Sequence, residues 1–315
     1  MKTGFLSFLV MLVLSVSAYA QQTVVQTKTL DSFSHVNISE KFSFKLKSGS
    51  TCSVKIVSDE RIAEYVRPVV KNGVFTVYLD EKKYPSELKK ELKAKDAPQP
   101  VLELEIYAPS IKSLTMKDKA VLWDTDEIKS DNFKLDISGN AQIVSMNVSS
   151  QSADFTFSNS VKADVEVAAS SKLTVSVGNS ADVTIKQKGG NGSYELKGLS
   201  SVLKSNLEVL EVSVLARGGA KAYLSGSASL LDVDADDNTV IDAEALESKE
   251  ATVEQQGSSC CHVNVEEYMK VSLIGGSTLT FKRKPVIDIQ RIVESTLVQA
   301  DDPKSPKATK NQRKK

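Results

Sequence analysis

The acidic stretch LDVDADDNTVIDAE, which begins at Leu231, is the best candidate for chemistry in this sequence. Its carboxylates are spaced as in a calcium-binding loop, but such a loop needs glycine at its sixth position and glutamate at its twelfth. This sequence has Asp237 and Ala243 at those positions. Alternation with apolar residues also fits a strand with one buried and one solvated face. We interpret Asp232 to Glu244 as a solvated acidic strand, with weak calcium binding as the alternative.

The same stretch offers carboxylate pairs for general acid and base catalysis, drawn from Asp232, Asp234, Asp242 and Glu244. Acidic residues alternate with apolar ones along most of the chain, however, so such pairs arise without a catalytic role. Of the two histidines, His35 and His262, we expect the second to be a surface residue. The sequence has neither a Gly-x-Ser-x-Gly elbow nor a metal-binding histidine cluster. We therefore assign no catalytic, cofactor-binding or metal-ligating residue.

Aromatic and thiol side chains give weaker signals. Tyr223 and Trp123 are the candidates for stacking on sugars, although a place in the core or in a turn is the preferred explanation for both. The chain has three cysteines, too few for a disulfide framework. Strand alternation predicts that Cys52 and Cys261 are buried and that Cys260 is an exposed thiol.

The elements that carry these residues repeat along the chain. Nine alternating apolar runs begin about 20 residues apart, and in most units a second run follows a turn. A near-constant period favours a parallel β-solenoid over a meander, because stacked coils place equivalent residues in register. The corners need residues that tolerate positive φ or bind their own backbone. The candidates are Gly139, Asn140, Gly178, Asn179, Gly218 and Gly219.

We predict an all-β fold, a parallel β-solenoid with an N-terminal β-rich cap and one short helical insertion. The sequence Lys71-Asn72-Gly73 indicates a hairpin turn. A helix is expected from about Ser86, as its capping residue, to Lys95. The segments are a signal peptide at 1–20, a β-rich region at 21–112, solenoid repeats at 113–284, a closing element at 285–298 and a disordered basic tail at 299–315.

Export is indicated by the N-terminus. Lys2 precedes the apolar run Phe5 to Val16, and the small residues Ala18 and Ala20 precede Gln21, as in a secretory signal peptide. No later segment has the apolar length of a membrane span. The chain is neutral overall, and without the basic tail and signal it is mildly acidic, which gives no sign of nucleic-acid binding.

Several stretches carry a family resemblance. FSHVNISEKFSFKLKSGSTCSVKIVSDE from Phe33, NGVFTVYL, LELEIYAPSIKSLTM and the later turns SGNA and SGSA resemble the autotransporter-adhesin head family called the GIN domain, found in exported bacterial envelope proteins. The resemblance covers about Val24 to Ile289 and implies a parallel β-solenoid without a catalytic signature. The chain departs from the pattern in MKDKA after Leu114, where a Ser-Gly turn is usual, and in the insertion near Ser86.

The combined expectation is an exported, non-enzymatic, adhesin-like interaction or structural module of the periplasm, the cell surface or the extracellular space. Its partner is expected to be an envelope protein or a glycan, and no cofactor is expected. The sequence leaves the oligomeric state open, a homo-oligomer included. The alternative is a polysaccharide-active β-helix enzyme, a lyase or a hydrolase.

Overall fold

The structure is a computed structural model that describes residues 22–95 and 97–300. The expected signal peptide, its cleavage site before Gln21 and the tail beyond Ala300 lie outside the described residues.

Between residues 22 and 125, the described part of the N-terminal region contains nine strands, two short 3₁₀ turns and one helix. The strands are β1 (Thr23–Thr29), β2 (His35–Ile38), β3 (Ser43–Ser48), β4 (Ser53–Asp59), β5 (Val66–Lys71), β6 (Val74–Leu79), β7 (Leu102–Ala108), β8 (Ser113–Met116) and β9 (Val121–Thr125). The 3₁₀ turns are Ala63–Tyr65 and Glu81–Lys83, and the helix is α1 (Ser86–Lys93).

The remainder of the described chain is a run of longer strands. They are β10 (Ile128–Ile137), β11 (Gln142–Phe157), β12 (Lys162–Gly178), β13 (Asp182–Lys188), β14 (Asn191–Gly198), β15 (Val202–Gly218), β16 (Lys221–Ala235), β17 (Val240–Gln255), β18 (Cys260–Ile274), β19 (Thr278–Lys282), β20 (Val286–Val293) and β21 (Thr296–Gln299).

These strands form a parallel β-solenoid of about nine turns, which confirms the predicted fold class. Each coil has a segment on a first face, a corner, a segment on a second face, and a bend that leads to the next coil. In β11, for example, Gln142 to Ser150 pair along the second face, and Ser152 to Phe157 pair along the first. Equivalent residues of successive coils lie side by side in parallel register, as the constant period predicted.

The interior is filled by the alternating apolar residues that the repeat marks. Phe133, Phe155, Val175, Tyr194 and Val233 are at most 2% exposed. The rings of Phe133 and Phe155 meet edge to face at 6.3 Å between centroids. Stacked apolar side chains therefore form one continuous core along the solenoid.

The corners stack residues with positive φ, one above another. Gly139, Asn179 and Gly218 are left-handed, as expected of corner residues, whereas their neighbours Asn140 and Gly219 are not. The unusual sequence MKDKA contributes Asp118 with φ 59°, so this coil makes the same corner as the others. The Asp118 carbonyl oxygen accepts a hydrogen bond of 2.6 Å from the Asn140 N–H.

The strands of the N-terminal region stack along the solenoid in an order that differs from their order in the sequence. Strand β2 pairs in parallel with both β6 and β8, and β3 pairs with both β7 and β9. The first coil in the chain, β2 and β3, is therefore the second in space. Antiparallel β5 ends the ladder of the first face, and antiparallel β4 and β1 end that of the second.

Local signals in this region are mostly confirmed. Asn72 and Gly73 both have positive φ and join β5 to β6 as the predicted hairpin. Helix α1 forms at the expected place, and its Leu88 and Leu92 pack against the core. The capping role assigned to Ser86 is wrong. Pro85 occupies the N-cap position with ψ 152°, because its fixed φ already suits the extended conformation of that position.

The C-terminal segment adds another coil to the solenoid. Strand β20 pairs with β18 on the first face, and β21 pairs with β19 on the second. Several of its apolar side chains remain exposed, Val286 by 69% and Ile289 by 55%. In the part of the chain that the structure describes, no helix has the length and hydropathy of a membrane span.

Candidate functional site

The acidic stretch from Asp232 to Glu244 is divided between the two faces. Asp232 and Asp234 lie outward on the first face, whereas Asp242 and Glu244 lie on the second face, beyond the corner at Asp237. The corner keeps the two halves apart, so they form neither a calcium loop nor a carboxylate pair across the stretch. Within residues 22–95 and 97–300, no cluster of three or more His, Cys, Asp or Glu side chains is arranged to hold a metal ion.

The first-face carboxylates are held by their neighbours. Arg217 forms ion pairs with Asp234 at 3.1 Å and with Asp236 at 2.9 Å. Partial burial and the negative charges of Glu254 and Asp234 raise the pKa of Asp232. This part of the face is a network of surface charges, and its surroundings disfavour the ionised form of Asp232.

The second face brings together several residues that the sequence singled out separately. Tyr223 lies beside Asp242, and Asp242 lies beside His262, on neighbouring coils. Lys204 precedes Tyr223 in this row and Thr280 follows His262. Because adjacent parallel strands lie about 4.8 Å apart, the row presents a cation, an aromatic ring, a carboxylate and an imidazole at regular intervals.

A groove of about 330 Å³ runs beside this row, and we call it the second-face groove. Tyr223 is 41% exposed. Asn206 donates a hydrogen bond of 3.1 Å from Nδ2 to the Ser225 hydroxyl oxygen, which fixes two polar groups within the groove. The lining residues are Thr184, Lys186, Lys204, Ser205, Asn206, Tyr223, Leu224, Ser225, Asp242 and Ala245.

The carboxylates near this groove already have intramolecular partners. Asp242 Oδ1 accepts a hydrogen bond of 3.2 Å from the backbone N–H of Glu244. Glu244 forms an ion pair with Lys282, which lowers the pKa of the Glu244 carboxyl. A lowered pKa suits a fixed negative charge and does not suit a general acid, which must hold a proton near neutral pH.

The remaining candidate residues lie elsewhere. His35 is in β2 near the N-terminal end, where its Nδ1 lies 2.7 Å from the Ser113 hydroxyl oxygen. Trp123 is in β9, is 52% exposed and lines a separate cavity of about 310 Å³ with Lys45 and Glu105. The structure therefore does not bring Trp123 and Tyr223 into one site.

The cysteines follow strand alternation with one adjustment. Cys52 and Cys261 are buried, as predicted, and burial raises the pKa of the Cys261 thiol. Cys260 is half-buried instead of fully exposed. Its Sγ lies 3.5 Å from Nε2 of His262, which belongs to the row of Lys204, Tyr223 and Asp242.

Sequence reasoning missed Lys204, Asn206 and Ser225 as parts of the groove. The signal was present in the repeat, because Lys204 stands 19 positions before Tyr223 and Asp242 stands 19 positions after it. In a solenoid with this period, residues at that separation are neighbours on adjacent coils.

Comparison with known proteins agrees with this architecture. Residues 32–165 and 156–285 each match the family described as "Putative auto-transporter adhesin, head GIN domain". The chain belongs to this GIN-domain family. The two matches overlap and together cover most of the solenoid, which confirms the resemblance seen in the sequence.

Two solved structures similar to this GIN-domain chain come from Parabacteroides. A crystal structure named as a putative adhesin from Parabacteroides merdae has a TM-score of 0.51 and 16% identity, with 90% of this chain and 98% of that chain covered. One named as a putative adhesin from Parabacteroides distasonis has a TM-score of 0.48 and 12% identity, covering 89% and 98%. The first of these likenesses shows a shared fold. No curated protein matches the chain.

Proposed function

We propose that this GIN-domain chain is an exported, non-enzymatic, adhesin-like module that binds a glycan of the cell envelope through the second-face groove. The observation that carries the proposal is the half-exposed ring of Tyr223 beside fixed amide, hydroxyl and carboxylate groups. An aromatic face with a few oriented polar groups is the combination that recognises a sugar ring with its hydroxyls.

Rigidity of the platform supports the same role. The groove lies on strands paired on both sides by neighbouring coils, so its side chains are held at fixed spacing before a ligand arrives. A preorganised surface loses little conformational entropy on binding. The engagement of Asp242 and Glu244 by their own neighbours favours binding over hydrolysis.

A glycan array probed with the exported chain tests this proposal. We expect binding to envelope polysaccharide fragments, and Tyr223→Ala should weaken it roughly tenfold or more, since 1.4 kcal/mol corresponds to a factor of ten. Trp123→Ala is the matched control, because it removes another half-exposed aromatic ring outside the groove. Equal losses in the two variants, or a chain that binds only a protein in envelope pull-downs, would contradict the proposal.

Export rests on the N-terminal sequence and accords with the adhesin names of the similar structures. We expect the exported protein to begin at Gln21, since Ala18 and Ala20 supply the small residues that signal peptidase requires. Intact-mass measurement on the envelope and medium fractions checks this. A mass that retains residues 1–20 would refute cleavage at this position.

A further inference from the structure

The C-terminal end of the solenoid presents an unpaired strand edge. Strand β20 pairs with β18 along one side, and among the described residues no strand pairs with its other side. Val286, Ile289, Ile292 and Val293 are between 37% and 69% exposed. An edge strand with exposed apolar side chains is a template for pairing with another strand.

The sequence of this strand, Val-Ile-Asp-Ile-Gln-Arg-Ile-Val, is complementary to itself in antiparallel order. When two copies pair about its centre, Asp288 of each copy lies opposite Arg291 of the other. Val286 then meets Val293, Ile287 meets Ile292, and at the centre Ile289 meets Gln290. Opposite charges and matched apolar residues on directly opposed positions both stabilise an antiparallel pair.

A β-bulge in β20 places the side chains that would form this charge pair on the same face of the sheet. Val271 pairs with Ile289 and Ser272 pairs with Arg291, so Gln290 is one extra residue in β20. Asp288 and Arg291 consequently both point outward, beside Lys270 and Ser272. In a regular strand, positions three apart would point to opposite faces. Because opposed residues of an antiparallel pair share a face, the charge pairing requires the bulge that the structure contains.

The apolar positions follow the same logic. Ile287, Ile289 and Ile292 lie beside the buried residues Met269, Val271 and Leu273, so all three face the interior of the last coil. A second copy, turned by a two-fold axis, would cover this open end and place its Ile292 against Ile287, which continues the core across the junction.

We propose that the chain forms a symmetric dimer, end to end, through antiparallel pairing of the two β20 strands. The tyrosine next to the edge assists the geometry, because the Tyr268 hydroxyl donates a hydrogen bond of 2.8 Å to Asp288 Oδ2 and thereby orients the carboxylate. This proposal goes beyond glycan binding and does not depend on it, since β20 lies on the first face.

Charge reversal provides a sharp test by sedimentation equilibrium on the full exported chain. Asp288→Arg places Arg opposite Arg in both symmetry-related pairs, and Arg291→Asp places Asp opposite Asp. Each variant alone should dimerise roughly tenfold more weakly or worse. An equimolar mixture of the two variants should recover a heterodimer, and the double variant Asp288→Arg/Arg291→Asp should recover the homodimer, because every opposed pair is again complementary.

Asp136→Arg is the matched control, since it makes the same charge change at an outward position of β10 far from the edge, and it should leave the dimer unchanged. Hydrogen exchange of the unmodified chain gives a second readout, in which β20 amides should be protected at high concentration and lose protection on dilution. A wild-type chain that stays monomeric, a dimer that tolerates both single reversals, or a mixture that fails to associate would each overturn the proposal.

Discussion

Gly226 tests how tightly successive coils are packed. It lies in β16 beside Leu207, with φ 101°, and a Cβ atom added there would be 2.1 Å from the Leu207 carbonyl oxygen. Positive φ costs a residue with a side chain about 1–2 kcal/mol. Overpacking against a neighbouring backbone adds about 1–3 kcal/mol. We therefore expect Gly226→Ala to lower the free energy of unfolding by about 2–5 kcal/mol.

Gly73 supplies the matched control. It has φ 74° in the β5–β6 hairpin, and a Cβ atom there would have no heavy atom within 4 Å. Gly73→Ala should therefore show only the conformational cost of about 1–2 kcal/mol. The difference between the two variants isolates the contact between coils.

Urea unfolding followed by circular dichroism measures both values. The midpoint should fall further for Gly226→Ala than for Gly73→Ala, while the slope of free energy against urea stays the same because both variants expose the same surface. Losses that agree within about 0.5 kcal/mol would refute the reasoning, since surface substitutions vary by that amount.

Three further predictions concern the core, the thiols and the first-face charges. Val175→Asp should unfold the chain or cost several kcal/mol, because it places a charge among fully buried neighbours. Outward Thr174→Asp should cost less than about 1 kcal/mol, and equal melting temperatures would show that the inward register is wrong. A thiol reagent should modify Cys260 in the native chain and reach buried Cys261 only after unfolding, as peptide mass mapping can check. The raised pKa of Asp232 means that ionisation opposes folding above that pKa and has no effect below the unfolded value. Asp232→Asn should thus raise the urea midpoint slightly at pH 7 and not at pH 3, whereas an equal gain at both pH values would argue against the charge effect.

The repeat predicts the inward-facing residues well, because a strand with alternating side chains can place only one of two sets of residues toward the core. Once Val175 and Val177 face the core, the outward position of Ser176 between them follows. The left-handed corners are similarly predictable where glycine or asparagine stands. Asp118 and Asp237 were harder to recognise as corner residues, because aspartate adopts positive φ less freely than glycine and also stands at many outward strand positions in this chain.

The spatial order of the N-terminal strands could not be predicted from the sequence, for a physical reason. Strands β6 and β8 carry similar alternation, and either could pair with β2, so the pattern does not specify that β2 lies between them. The division of the acidic stretch had the same origin. When the corner at Asp237 is not recognised, the carboxylates of the acidic stretch are assigned to a single strand. In the structure, their neighbours are residues about 20 positions away on adjacent coils.

The two ends of the solenoid explain why pairing would stop at a dimer. At the N-terminal end, β5 contains Pro68, which lacks a backbone N–H, and β1 carries Lys28. Proline and lysine on edge strands both oppose pairing with another chain. An association of unlike ends would repeat without limit and give a fibre. Because the C-terminal edge is complementary to itself, two chains satisfy each other, and the N-terminal ends with Pro68 and Lys28 point outward.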